Sequence, residues 1–156
     1  MPDEDPIRTA VTGFIDQVGA ALAEVTATLE PAPPIHPEDL VNEAFNLVAA
    51  FADADGRHSD PELWALARVF GELFGDPKLA GATPADLRAS SLVAGKAAWI
   101  DGPSTLFEIL LGTGADPSHA WTYYLRAMDV AHAVAALDVV TSQAELDAIA
   151  RYRALL

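Results

Sequence analysis

Residues 48–63 read Val-Ala-Ala-Phe-Ala-Asp-Ala-Asp-Gly-Arg-His-Ser-Asp-Pro-Glu-Leu. The stretch predicts the end of one helix, a tight turn at Gly56 and the start of another helix. Ser59 and Glu62 form a capping box: the hydroxyl accepts from the Glu62 N–H while the carboxylate reaches back to the N–H of Ser59. Pro61 sits early in the new helix, where its missing N–H costs nothing. Asp53 and Asp55 do not fit so simply. Both fall in the last turn of the first helix, where the macrodipole is already negative. Two carboxylates set against the dipole call for an explanation beyond helix building.

The pattern returns 83 residues later, where 124–156 lies over 41–73 with eleven identities in thirty-three positions. Five are alanines in an alanine-rich chain and carry little weight. The others pair Asp55 with Asp138, Ser59 with Ser142, Glu62 with Glu145, Leu63 with Leu146, Arg68 with Arg151 and Leu73 with Leu156. Apolar phase is kept as well, with Phe45 on Met128 and Phe51 on Val134. An internal duplication of an αα-hairpin, 37–75 and 117–156, accounts for this.

Outward from these hairpins the chain stays helical. Ile7, Val11, Phe14, Ile15, Val18, Leu22, Val25 and Leu29 recur at three- and four-residue intervals, which predicts a helix over 7–30 ended by the proline-rich 31–34. His36-Pro37 opens the helix carrying Leu40, Val41, Ala44, Phe45, Val48 and Phe51. The next one, from Asp60 to about Phe74, packs Leu63, Leu66, Phe70 and Leu73 and stops at Gly75-Asp76-Pro77. Thr83 and Asp86 cap a helix near 84–100 that contains Leu87, Leu92, Val93, Ala97 and Trp99, with Gly95 leaving open whether it is one helix or two. A short helix from Ser104 to about Leu111 follows, then a long one from Asp116 to about Asp138 with Tyr124 and Met128 inward, and a last one from Gln143. β-Branched residues form no long alternating run. The expectation is an all-α, single-domain bundle of six or seven helices. Its final helix ends at the position matching Leu73 with no capping residue behind it, which fits a domain from a longer polypeptide as well as a helix that ends a chain.

Composition narrows the function. A net charge of −14 disfavours nucleic acid and anionic membranes, both of which need clustered Lys and Arg, and suits cations or basic partners. No apolar run approaches the roughly 20 residues of a membrane span. The acidic first six residues are unlike a secretory signal, and with no cysteines the expectation is a cytoplasmic protein.

Ala52-Asp53-Ala54-Asp55-Gly56, running on to Glu62, resembles the signature of the TerB-like domains. That family is named for a tellurite-resistance protein and also occurs beside DnaJ-type co-chaperone and AAA-type ATPase modules. The resemblance covers 41–73 and 124–156; the second copy departs from it, with Ala136 for Asp53 and Val139 for Gly56. It implies an all-helical, non-catalytic domain of stress responses that binds metal or serves as a scaffold.

The residues themselves support two binding chemistries. Asp53, Asp55, Glu62, Asp138 and Glu145 are the candidate metal ligands, and oxygen donors without thiols favour Ca²⁺, Mg²⁺ or Mn²⁺. An EF-hand is disfavoured, because its first position would be Phe51 and its eighth His58. A structural reading stands beside the metal one: Ser59 and Ser142 with their glutamates are capping boxes, and Asp55 and Asp138 pair with Arg68 and Arg151. The alternative function is then a protein-interaction or regulatory module of an AAA-type ATPase or chaperone system, whose acidic turns are purely structural. Catalysis is not expected. The four histidines, 36, 58, 119 and 132, show no metal-ligand spacing, Ser104, Asp116 and His119 lack a nucleophile elbow, and Gly95-Lys96 lacks a phosphate loop.

Overall fold

The computed structural model describes residues 5–27, 35–54, 59–90, 92–93, 95–102, 104–112, 118–137 and 143–155. These form eight α-helices and one 3-10 helix with no strand among them, in one all-helical domain. The helices are α1 (Asp5–Thr26), α2 (Pro37–Asp53), α3 (Asp60–Leu73), α4 (Pro77–Ala80), α5 (Pro84–Ala89), α6 (Thr105–Gly112), α7 (Ser118–Ala135) and α8 (Gln143–Leu155). The 3-10 helix, Lys96–Asp101, lies between α5 and α6.

Helices α2 and α7 are the centre. They pack on each other, α1 lies along both, and each carries its own partner, α3 on α2 and α8 on α7. The apolar stripe of α1 is buried as its spacing predicts: Ile7, Val11, Phe14, Val18, Leu22 and Val25 are all 3% exposed or less. Gly19 lets α1 come close to α2, since a Cβ there would meet a Leu40 methyl at 2.9 Å. Inside, Phe14 meets Tyr123 edge-on and Phe51 meets Tyr152 edge-on, an arrangement that aromatic quadrupoles favour.

Several boundaries differ from expectation for identifiable reasons. Helix α3 ends before Gly75-Asp76-Pro77 as expected, but Pro77 also opens α4, which was not foreseen: Asp76 turns its carboxylate onto the N–H groups of Lys78 and Leu79, so the proline occupies a first-turn position. The helix expected over 84–100 is two elements. Ser90 is extended, Gly95 takes φ +83°, and the chain resumes as the 3-10 helix that buries Ile100 and half-buries Trp99. Leu92 is 40% exposed because it falls in that break, and Leu73, expected to pack, is 38% exposed at the last position of α3.

Candidate functional site

The first acidic turn is partly described. Asp53 is the last residue of α2, and its Oδ2 accepts the N–H of Ala97 at 2.9 Å. A carboxylate that α2 alone would disfavour thus sits at the first turn of the 3-10 helix, whose N–H groups lack helical partners. This contact gives Asp53 a backbone partner in the 3-10 helix. Glu62 is buried and serves the cap: its Oε1 accepts from the Ser59 hydroxyl at 2.7 Å and from the Ser59 N–H at 3.4 Å. The Ser59 Oγ accepts the Glu62 N–H at 3.4 Å, which completes the expected capping box.

Asp55, Asp138 and Ser142 lie outside the described residues, as does the side chain of Glu145 on α8. Among the described residues no three His, Asp or Glu side chains converge as metal ligands would. Arg68 lies over the Trp64 ring at 4.8 Å and Arg151 pairs with Asp101 at 3.4 Å. The aspartates expected to pair with these arginines, Asp55 and Asp138, lie outside the described residues.

Two features that the residue pattern did not single out stand in the structure instead. One is a cleft of about 490 Å³ between α2 and the α4–α5 segment. Phe45, Phe74, Leu79, Leu87 and Leu92 supply its apolar lining, with Asp76, Asp86 and Lys78 also on its wall. Phe45 meets Phe70 and Phe74 edge-on and Phe70 lies tilted against Phe74, with centroid separations of 5.4–6.0 Å. The walls are shaped by caps: Thr83 and Asp86 bond each other's backbone N–H at 3.0 and 3.2 Å, opening α5. Hydrogen bonds from the Thr83 backbone N–H, first, and then from its side chain hold the Asp86 carboxyl below its ordinary range. The signal for this cleft was Phe74 following Leu73, two large apolar residues where a helix ends.

The second feature is a polar cluster inside the core. Glu43 of α2 is 8% exposed, and its Oε2 accepts the Tyr123 hydroxyl of α7 at 2.8 Å. The Tyr152 hydroxyl of α8 lies 3.0 Å from that of Tyr123, and the Ser104 hydroxyl donates to Tyr123 at 3.2 Å. Ser104 in turn caps α6 by accepting the N–H of Phe107 at 3.1 Å. Burial pushes the Glu43 carboxyl above its ordinary range, against the hydrogen bonds from Ser104 and Tyr123. Both tyrosines are raised, again chiefly by burial. The signal here was phase: Glu43 falls three residues after Leu40 and four before Leu47, on the buried stripe of α2.

A smaller groove of about 370 Å³ is lined by residues of α1 and α7. There Arg126 pairs with Asp129 at 3.3 Å and donates to the side-chain amide oxygen of Gln17 at 3.3 Å.

No family model matches the chain, and no curated protein or solved structure matches it.

Proposed function

We propose that the chain is a non-catalytic helical binding domain of the TerB-like kind, and that its working surface is the cleft between α2 and α4–α5. The cleft itself carries the reading. Its volume of about 490 Å³ accommodates a few large side chains, and Phe74 and Leu92 on its wall are 39% and 40% exposed. The occupant that fits is a basic amphipathic helix from a protein partner. Its apolar anchors meet the aromatic lining, while its Lys and Arg face Asp76, Asp86 and the field of a chain carrying −14. A regulatory module in an ATPase or chaperone system would use such a surface, and a role in cytoplasmic stress responses belongs to the same proposal. No helix among the described residues is long and apolar enough to cross a membrane. The two matched αα-hairpins, read as a duplication, complete the proposal. Its support is that α3 packs on α2 as α8 packs on α7.

The test is a titration with two synthetic amphipathic peptides, one of Leu and Lys and one of Leu and Glu. The Leu/Lys peptide is expected to bind saturably and the Leu/Glu peptide not at all. Leu79→Glu is expected to weaken Leu/Lys binding at least about tenfold, or ~1.4 kcal/mol. That variant also adds negative charge, so association driven by charge alone would tighten instead. Equal or tighter binding by Leu79→Glu removes the cleft from the account.

A divalent cation at the acidic turns is the second reading, favoured by Asp53 standing at the end of α2 two residues before Asp55. Ca²⁺, Mg²⁺ or Mn²⁺ would then raise the melting temperature of the wild type and leave Asp55→Asn/Asp138→Asn unchanged. If ions and chelator shift neither protein, the acidic turns are structural.

A further inference from the structure

The cleft calls for a basic amphipathic helix, and the chain itself contains one. Its nine Lys and Arg are spread thinly, no two closer than eight residues except Arg151 and Arg153 on α8. Resting on the reading of the cleft as a helix-binding surface, we propose that α8 of a second copy of this chain docks there through its outer stripe, Leu146, Ala150 and Arg153.

Helix α8 has two distinct faces. Ala148, Ile149 and Tyr152 turn inward, each 6% exposed or less, and hold it against α2, α7 and the 3-10 helix. Leu146, Ala150 and Arg153 recur at four- and three-residue steps along another side, and all three are exposed. That spacing is the one by which a helix seats its anchors in a groove. Leu146, 46% exposed, is the large apolar anchor, and the small side chains of Ala150 and the neighbouring exposed Ala154 let the helix backbone come close. Over 148–155 the charged residues are Arg151 and Arg153, with no acid between them or beside them. Arg151 pairs with Asp101 at 3.4 Å, which leaves Arg153 as the cation of the stripe.

The cleft complements these features. Phe45, Leu79 and Leu87 in its lining offer an apolar seat for Leu146. Its wall sets Asp76 and Asp86 against Lys78, so it is net negative where Arg153 arrives. Among the described residues none of α8 lines the cleft of its own copy, so the contact joins two copies through unlike surfaces. One large anchor and one cation make a small interface, and the dissociation constant is expected on the order of 0.1–1 mM. A second copy therefore closes the cleft only where the chain is concentrated, and a partner that binds more tightly reopens it. Peptide titrations at protein concentrations well below that range read the open cleft. Two copies of charge −14 also repel each other, and about 0.15 M salt confines that repulsion to about 8 Å.

Sedimentation equilibrium in about 0.15 M salt, from about 20 µM to about 1 mM chain, tests the docking. The wild type is expected to rise in average mass from one copy toward two. Arg153→Glu reverses the charge of the stripe and Leu79→Glu disrupts the apolar lining, and each alone is expected to weaken association at least about tenfold. Mixed one to one, the two variants are expected to associate again, because Leu79→Glu brings an intact α8 and Arg153→Glu an intact cleft. Leu92→Glu, at a 40% exposed position of the same lining, replaces Leu79→Glu if that variant does not fold. A wild type that stays monomeric throughout overturns the docking. So does Arg153→Glu associating as the wild type does, or a mixture that associates no better than either variant alone. The Leu/Lys peptide judges the cleft separately. Saturable peptide binding to a chain that stays monomeric removes the second copy and leaves the cleft, whereas absence of peptide binding removes both.

Discussion

The hairpin α2–α3 and the hairpin α7–α8 share a motif and differ in what covers them. Helix α3 is overlaid by α4 and α5, whereas α8 rests against α2, α7 and the 3-10 helix. The matched leucines show the consequence: Leu63 is 0% exposed and Leu146 is 46% exposed. Glycine content follows the same division. Gly71 on α3 lies so close to α4 that an added Cβ would meet the Ala80 backbone at 2.4 Å, while its counterpart on α8 is the exposed Ala154. The polar core also departs from the match. Glu43 corresponds to Arg126, which faces Gln17 and Asp129 on the outside, and Tyr152 corresponds to the buried Val69. Matched sequence thus keeps the elbow, and the surroundings decide what each elbow does.

The largest expected effect tests that division directly. Leu63→Ala is expected to cost ~2–5 kcal/mol in urea unfolding, from lost burial and the cavity it leaves. Leu146→Ala, at the matched position, is expected to stay within about 0.5 kcal/mol. Equal costs would mean that α8 is covered as thoroughly as α3. Next comes Gly71→Ala, expected to destabilise by ~1–3 kcal/mol through forced displacement of α4. Because α4 forms one wall of the cleft, the same variant should weaken Leu/Lys peptide binding, and unchanged binding would detach the cleft from this packing. Ser59→Ala is expected to cost ~0.5–2 kcal/mol by removing the cap of α3. Ser142→Ala should cost a similar amount if α8 begins in the same way, and a neutral result there would limit the duplication to sequence.

The smallest effect is one of pH. The Asp86 carboxyl is held below its ordinary value by Thr83, so its contribution is present above the unfolded carboxylate range and is lost as pH falls through the folded pKa. The group is exposed, and Asp86→Asn is expected to flatten only slightly the acid limb of a melting-temperature profile.

Much of this architecture is written in local chemistry. The stripe of α1 and the boxes at Ser59–Glu62 and Thr83–Asp86 are legible because their causes lie within a few residues. The all-helical character follows from the same periodicity. What was not legible depends on contacts distant in sequence. Asp53 gives no local sign that its partner is the N–H of Ala97, forty-four residues on. Glu43 reads as one more acid on an acidic chain until Tyr123 and Tyr152 arrive from eighty residues away and beyond. The cleft depends on α4, a helix of four residues that periodicity cannot detect. For the acidic turns, the legible part is the cap; the expected ligands Asp55 and Asp138 fall outside the described residues, and Glu145 does so by its side chain.

The most direct test of the binding account maps amide chemical shifts as the Leu/Lys peptide is added to the wild-type chain. The account predicts shifts concentrated at Phe45, Phe74, Leu79, Leu87 and Leu92, saturating together, with α7 and α8 unmoved. Shifts spread over every acidic surface, or centred on the exposed Trp121 and Leu146 of the second hairpin, would contradict it.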